Sequence, residues 1–259
     1  MEKPMELSFI LLLITGFLAG LMDAAMGGGG LLQLPALFGV LPPATPVPTV
    51  LGTNKAASFA GTFTASGQFA RRLKLPWKML LPAGVLAFAA SFAGAKLVAY
   101  VPVQYMKPAM LAIMVAMFVY TFFRKDLGQT ERTRALTRGE MLLGTAFGAA
   151  IGFYDGLFGP GTGSLLAFVF VRFFAYDFLT ATACAKVINL MTNLAALSFF
   201  IPSQHVLWHW ALPLAAANLI GGFCGAKLAV LGGSRWLRYG FMALLCLLIG
   251  NFARQLLSS

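Results

Sequence analysis

Long apolar runs constrain the fold of this chain more than any other feature of its sequence. Most are close to the roughly 20 residues that a membrane-spanning helix needs. They lie at about 7–26, 30–41, 49–69, 77–100, 106–124, 139–158, 161–176, 179–201, 207–231 and 236–256. Of the 259 residues 59% are hydrophobic and 10% are charged, whereas soluble domains carry about 25% charged residues. The sequence therefore predicts an all-α polytopic membrane protein.

The distribution of positive charge predicts how the chain crosses the membrane. A net charge of +11 would suggest a nucleic-acid partner in a soluble protein. Here the basic residues cluster in short loops at 71–78, 124–138 and 235–238, whereas the loop at 203–205 has none. This is the positive-inside pattern, so we expect a lipid bilayer and no nucleic acid as partner. The loop assignments agree only if each half crosses an odd number of times, which gives the halves opposite orientations.

A motif of one aspartate and several glycines occurs twice, at 20–30 and at 152–163. The repeat continues with Lys55 and Lys186, and the tetrapeptide Gly-Ala-Lys-Leu occurs at both 94–97 and 225–228. Inverted repeats with short, glycine-interrupted segments are typical of secondary transporters. We therefore predict two inverted-topology repeats with eight to ten membrane segments, in which the short helices after the glycine turns are broken or re-entrant. The predicted division is a first repeat at 1–124, a cytoplasmic basic linker at 125–138 and a second repeat at 139–259.

The two glycine turns are candidate anion-binding elements. Hydrocarbon cannot satisfy their backbone groups, so each turn must be buried in protein or line a wet cavity. A turn that leads into a helix presents unpaired amides and a positive dipole end, which favour an anion. The alternative is tight helix packing through small residues. The second turn has proline and threonine where the first has glycines, so the two are not expected to bind identically. The candidate binding residues are Gly27, Gly28, Gly29, Gly30, Gly159, Gly161, Thr162 and Gly163.

Asp23 and Asp155 are the two acids that lie well inside predicted spans. Each precedes the first glycine of its turn by four residues and so lies on the same helix face, about one turn away. An acid inside a membrane is a functional candidate, either as a proton carrier or as the partner of a buried cation. The alternative is structural, since each carboxylate could accept hydrogen bonds from the amides of its own turn.

Two lysines inside predicted spans, together with neighbouring amide side chains, form the remaining candidate site. Lys55 and Lys186 each lie about six residues inside a predicted span. A cation there could pair with an acid or meet an anionic substrate, or it could snorkel to the interface. Asn54 begins a polar helix face that continues at every fourth residue, and Asn189 lies on the matching face of the second half. Such faces are expected to line a cavity.

Other residue types give no sign of catalysis, a metal site or a cofactor. The three cysteines lie in apolar runs without metal-ligand spacing, so they are expected to pack as small apolar residues. His205 and His209 accompany tryptophans in the external loop and the run that follows, as in an interfacial aromatic belt. The N-terminus lacks the positive region of a signal peptide, so we interpret its first apolar run as a retained membrane segment.

These motifs resemble the TauE/SafE family of membrane permeases. The similar patterns are Gly-x-x-Asp-x-x-x-Gly-Gly-Gly-Gly-x-x-x-x-Pro at 20–35 with Thr-Asn-Lys at 53–55, and the segment 152–160 with Ala-Cys-Ala-Lys at 183–186. The resemblance covers nearly the whole chain and is strongest to the bacterial inner-membrane branch with Phe-Tyr-Asp-Gly in the second motif. It implies a multi-pass protein of the bacterial inner membrane that carries sulfur-containing oxyanions or sulfonates, such as sulfite, without ATP.

The resulting hypothesis is a secondary transporter of small anions. The glycine turns would hold the anion, the two lysines would balance its charge, and Asp23 and Asp155 would shape the turns or carry a coupling proton. A carrier of another small metabolite on a similar five-plus-five plan is the main alternative, and a non-catalytic membrane scaffold is a remote one. An enzyme would need a nucleophile–base pair or a metal cluster, which the sequence does not offer. An oligomer is compatible with this hypothesis.

Overall fold

A computed structural model of the chain describes residues 3–101, 103–123 and 136–231, together with positions 243, 246, 249, 250, 253 and 254. Within the continuous stretches the secondary structure is entirely helical, which confirms the predicted all-α class. The helices are α1 (Lys3–Met26), α2 (Gly29–Val40), α3 (Val47–Arg72), α4 (Trp77–Val98), α5 (Val103–Phe123), α6 (Arg138–Leu157), α7 (Thr162–Phe174), α8 (Phe178–Phe200) and α9 (Trp208–Val230).

Helix length and composition support a protein that crosses the membrane several times. Four helical segments among the described residues are long and apolar enough to span: Phe9–Met26, Trp77–Val98, Phe178–Phe200 and Trp208–Val230. By contrast, α2 has 12 residues and α7 has 13. At about 1.5 Å per residue each extends only about 20 Å, less than the roughly 30 Å of the hydrocarbon core. The predicted short helices after the glycine turns are thus present, and the count of eight to ten segments stays a prediction.

Local sequence signals explain where several helices begin and end. The helix α2 ends at Val40, just before the adjacent prolines 42 and 43, which cannot continue a helix. At the start of α6, the Glu140 amide donates to Thr137 Oγ1 at 3.2 Å, and the Thr137 amide donates to Glu140 Oε2 at 2.8 Å. This is a capping box. Asp177 caps α8 by accepting a hydrogen bond from the Thr180 amide at 3.0 Å.

The two halves of the chain interlock rather than packing side by side. Helix α1 packs along α9, and its counterpart α6 packs along α4. Likewise α3 packs on α9 and α8 on α4, while α3 and α8 pack against each other. The set of pairings stays the same when each helix is exchanged for its counterpart in the other half, that is, α1 for α6, α3 for α8 and α4 for α9. The contacts are therefore those expected of two related repeats, and the opposite membrane orientation of the halves stays a prediction.

Parts of the predicted organisation lie outside the described residues. They include positions 125–135 of the basic linker, the basic positions 235 and 238, and all but a few isolated positions of the last apolar run at 236–256. The boundaries 1–124, 125–138 and 139–259 therefore stay predictions.

The repeated Gly-Ala-Lys-Leu tetrapeptide marks two close helix crossings between the halves. A Cβ atom on Gly94 would collide with the backbone oxygen of Phe153, where α4 crosses α6. A Cβ on Gly225 would collide in the same way with the backbone oxygen of Leu21, where α9 crosses α1. Small residues allow this backbone contact between membrane helices. The repeated glycine is thus a packing requirement of the fold.

The buried polar residues concentrate on α3 and α8. The rest of the described interior is mostly apolar, with one buried cluster around Phe69, Met79 and Phe170 and another around Leu34 and Phe200. Because buried polar groups need partners, the two central helices indicate where a functional site lies. The buried polar side chains that they carry are Thr49, Thr53, Asn54, Lys55, Thr62, Ser66, Thr182, Lys186, Asn189, Thr192 and Asn193.

Candidate functional site

One glycine turn lies between α1 and α2, the other lies between α6 and α7, and the two turns contact each other. Gly27, Gly159 and Gly161 have φ angles of 81°, 88° and 78°, a left-handed conformation that side chains disfavour. The amide of Ser164 donates to Gly27 O at 3.2 Å, and a Cβ atom on Gly163 would lie 2.6 Å from Gly27 Cα. The turns therefore form one unit, in which the backbone of one half packs against that of the other.

Two buried ion pairs connect the halves reciprocally. Lys55 Nζ on α3 lies 2.6 Å from Asp155 Oδ2 at the end of α6, and both side chains are nearly inaccessible. Lys186 Nζ on α8 lies 2.8 Å from Asp23 Oδ2 at the end of α1. Each lysine thus pairs with the aspartate of the opposite half, and the membrane interior makes each pair necessary, because an unpaired charge there is costly.

Hydrogen bonds through Asn193 and Thr62 join the two ion pairs into one network. Lys55 Nζ also donates to Asn193 Oδ1 at 3.0 Å, and Asn193 Nδ2 donates to Thr62 Oγ1 at 3.4 Å. Thr62 in turn donates to Asp23 Oδ2 at 3.3 Å, which completes the path between the pairs. Thr62 and Asn193 occupy matching positions on α3 and α8, so the link lies where the central helices meet.

Each aspartate also contacts its own glycine turn. Thr162, the first residue of α7, donates from Oγ1 to Asp155 Oδ1 at 2.6 Å and lies 2.9 Å from Gly159 O. The amide of Gly29 donates to Asp23 Oδ1 at a longer 3.4 Å. The two roles considered for these acids, partner of a buried cation and support of the turn, are therefore combined in both residues.

A small polar cavity lies between the turns and the central helices. Its volume is about 20 Å³, counted as space for the centre of a water molecule, which is room for about one or two waters. Its lining consists of Asp23, Gly27, Gly30, Asn54, Lys55, Ser58, Asp155, Gly159, Gly161, Thr162, Gly163, Asn189 and Asn193. In this conformation the cavity is too small for an ion of four or more heavy atoms.

Three backbone donors and one side-chain acceptor at this cavity have no partner in the described part of the chain. The backbone amides of Gly30, Thr162 and Gly163 donate to no acceptor there. Asn54 is only 3% exposed, and its Oδ1 has no hydrogen-bond partner. Unsatisfied buried polar atoms are uncommon and call for an explanation. Free amides at helix N-termini beside an ammonium group can bind an oxyanion.

Most of the predicted site residues meet at this cavity, with three exceptions. Gly28 and Gly29 belong to the first turn but do not line the cavity, and neither does Lys186. Lys186 is fully buried, and its Nζ contacts Asp23 at ion-pair distance without hydrogen-bond geometry. Among the described residues, no cluster of three His, Cys, Asp or Glu side chains could hold a metal ion.

Several polar side chains make individual contacts that the sequence did not predict. Ser58 lines the cavity and Asn193 connects the ion pairs, and their positions on the polar faces of α3 and α8 were the available signal. Asn218 donates to Gln33 Oε1 at 2.6 Å and to Gly16 O at 3.1 Å. Nothing in the sequence pairs Asn218 with Gln33, since they are far apart in the chain and lack a matching pair in the other half.

Comparison with known proteins gives consistent results over most of the chain. A family model described as "Sulfite exporter TauE/SafE" matches residues 12–252. A probable membrane transporter protein of Haemophilus influenzae is 32% identical over 229 residues, which are 88% of each chain. The probable membrane transporter protein YfcA of Escherichia coli is 31% identical over 239 residues, 92% of this chain and 86% of its own. The probable membrane transporter protein ORF9 of Sinorhizobium is 32% identical over 225 residues, 86% of this chain and 84% of its own. No solved structure matches the chain significantly.

Proposed function

The chain belongs to the sulfite exporter TauE/SafE family of membrane transporters, and we propose that it carries small anions by secondary transport. The proposed substrates are sulfur-containing oxyanions or sulfonates such as sulfite. The proposed location is the bacterial inner membrane, and the protein acts without catalysis. Membrane insertion itself follows from the family and from the apolar helices described above.

The observation that carries this proposal is the joint placement of free amides and a lysine at one polar cavity. Lys55 lines the cavity together with Gly30, Thr162 and Gly163, whose amides have no acceptor among the described residues. Amides and dipole ends bind oxygen anions without requiring a second charge. Asn189 adds a further polar side chain to the same lining. Lys186 contributes at a distance, by balancing Asp23.

Charge balance at the site favours a proton as the coupling ion. The two lysines and the two aspartates cancel, so an added anion would leave a net negative charge in a low-dielectric interior. Protonation of one aspartate restores neutrality. The turn carbonyls that could hold a metal cation already accept hydrogen bonds: Met26 O and Gly27 O from Ser164, and Pro160 O from Tyr154. The proposed mode is therefore anion transport coupled to protons.

Transport also requires the site to change shape. The present cavity holds one or two waters, so an oxyanion enters only when side chains or helices separate. The interlocked contacts of α1 with α9 and of α4 with α6 divide the helices into groups that combine both halves. Relative movement of such groups would open the site to one side at a time, as in other transporters with repeated halves.

Uptake by proteoliposomes tests this proposal. Labelled sulfite and methanesulfonate are offered with and without an inward proton gradient, beside a panel of amino acids and inorganic cations. We expect anion uptake that increases with the gradient. Uptake of the amino acids or cations alone would contradict the substrate class and support the metabolite carrier. Anion uptake at the same rate with and without the proton gradient would contradict proton coupling.

A matched pair of lysine variants tests the site itself. Lys55→Gln should lower anion uptake by about ten- to a hundredfold, because a hydrogen bond to a charged group contributes about 1.5–3 kcal/mol. Lys96→Gln is the control, since Lys96 lies over the Phe92 ring at 4.7 Å and does not line the cavity. Both variants must elute as folded protein in detergent. Equal uptake by the two variants would exclude Lys55 from the binding site.

A further inference from the structure

The carboxylate of Asp155 is bound as a small oxyanion would be. One oxygen, Oδ2, takes a hydrogen bond from the ammonium of Lys55 at 2.6 Å, and the other, Oδ1, takes one from the Thr162 hydroxyl at 2.6 Å. Thr162 begins α7, so this carboxylate lies at the positive end of that helix. A lysine, a hydroxyl and a helix N-terminus together form a recognition set for carboxylates, sulfonates and phosphates.

The groups that bind Asp155 also face the cavity. Lys55, Asp155 and Thr162 all line it, and a Cβ atom on Gly159 would lie 3.7 Å from Lys55 Nζ. The lysine ammonium therefore rests against the second glycine turn, next to the free amides of Thr162 and Gly163. A second oxyanion placed in this cavity would compete with Asp155 for the same donors.

The other ion pair lacks this arrangement. The Lys186 side chain is 0% exposed and does not line the cavity, whereas its partner Asp23 lines it and is 13% exposed. Among the described residues, Asp23 accepts hydrogen bonds at 3.3 Å from Thr62 and at 3.4 Å from the Gly29 amide. The first turn has glycine where the second has Thr162, so it offers no hydroxyl at the start of its short helix. The two pairs are thus related by the repeat but differ in access and in donors.

We propose that the Asp155 carboxylate occupies the binding position of the transported oxyanion when no substrate is bound. The oxyanion binds by replacing this carboxylate at Lys55 and Thr162. The Lys186–Asp23 ion pair stays intact throughout and serves as a fixed structural link between α8 and α1. This inference rests on the proposed function, since it identifies which half of the site meets the anion. It also narrows the substrate class to ions with at least two oxygens on one central atom.

The exchange keeps Lys55 paired with a negative group at every stage. Before binding its partner is Asp155, and after binding its partner is the substrate, while the displaced carboxylate takes up the coupling proton. A halide ion presents one atom, so it cannot occupy both oxygen positions between Lys55 and Thr162. The exchange therefore predicts that oxyanions compete with one another and that chloride does not compete with them.

Equilibrium binding of labelled sulfite to the purified full-length protein in detergent tests this exchange. Asp155→Asn removes the competing charge, while Asp23→Asn makes the same change at the fixed pair. If Lys55 is free of Asp155 in about a tenth of wild-type molecules, Asp155→Asn binds sulfite about tenfold more tightly, because affinity scales with the competent fraction. Asp23→Asn makes the same change in net charge without freeing Lys55, so it should tighten sulfite binding less than Asp155→Asn does, and Asp155→Asn should lose proton-driven uptake. Structural damage to the variant would weaken sulfite binding, so tighter binding by Asp155→Asn cannot be explained by misfolding.

A competition experiment on the wild-type protein needs no variant. Methanesulfonate should displace bound sulfite, and chloride at the same ionic strength should not. Equal displacement by chloride, unchanged or weaker sulfite binding in Asp155→Asn, or binding by Asp23→Asn as tight as by Asp155→Asn would each overturn this role of Asp155. Wild-type protein that binds and transports none of these anions would overturn the proposed function as well, so the two failures are distinguishable.

Discussion

Removal of one member of the Lys55–Asp155 pair should destabilise the protein far more than removal of both. At the Nζ–Oδ2 distance of 2.6 Å, the Coulomb attraction is about 6 kcal/mol for an effective dielectric constant of about 20. The cost of burying two charges offsets much of it. Lys55→Met leaves Asp155, which is 1% exposed, as an uncompensated buried charge, and such changes cost about 3–5 kcal/mol. Asp155→Leu leaves the lysine in the same state.

The double variant Lys55→Met/Asp155→Leu replaces the pair by apolar groups of similar volume, which is often neutral or stabilising. We expect each single variant to unfold about 3–5 kcal/mol more easily and the double variant to lie within about 1 kcal/mol of wild type. Unfolding in mixed micelles, followed by tryptophan fluorescence across a denaturant series, measures all four proteins. Independent sites would give additive losses. Additive losses in the double variant would refute a direct buried pair between these residues.

Two further predictions concern the helix crossings and the second turn. Gly94→Ala should lower the free energy of unfolding by about 1–3 kcal/mol, because its methyl group collides with Phe153 O. The same measurement on Gly67→Ala, a glycine of α3 with no atom within 4 Å of a Cβ, should show no loss, and equal losses would contradict the close crossing. Thr162→Val should lower sulfite uptake about two- to tenfold, the worth of one hydrogen bond, whereas Thr162→Ser retains the hydroxyl and the rate. Equal rates for these two variants would show that the hydroxyl has no role.

The repeated motif carried enough information to predict the local structure around each turn. An aspartate followed four residues later by glycine, inside an apolar run, requires the helix to break at a place where backbone groups meet polar partners. The structure has the break at both positions, with short helices beyond. The polar faces of α3 and α8 were also predictable, because helical spacing places residues such as Asn54 and Ser58 on one side.

The pairing of charges could not be predicted, because it depends on how the halves pack. Each lysine had two acids available, and the acid of its own half is nearer in sequence than the one it contacts. The partner of Lys55 is 100 residues away. The choice depends on how the halves pack together, with α4 against α6 and α9 against α1. Such long-range packing leaves no periodic trace in either segment alone.

The small size of the cavity could not be predicted from the sequence either. Its dimensions follow from Gly27 and Gly163 meeting backbone to backbone, a contact between segments that the motif describes only separately. The unequal role of the lysines has the same origin. Lys55 and Lys186 occupy matching positions in the repeat, and only their surroundings, with Thr162 present in one half and glycine in the other, distinguish them.

The reciprocal ion pairs have a consequence for biosynthesis. Lys55 is made 100 residues before Asp155, which at 5–20 residues per second corresponds to about 5–20 s of synthesis. During this interval α3 enters the membrane with a lysine whose final partner does not yet exist. Its charge must be hydrated or shielded by the insertion machinery until α6 has been inserted. Likewise, α1 lacks its packing partners until α8 and α9 have been made. Stable burial of the first half is therefore an outcome of completing the second.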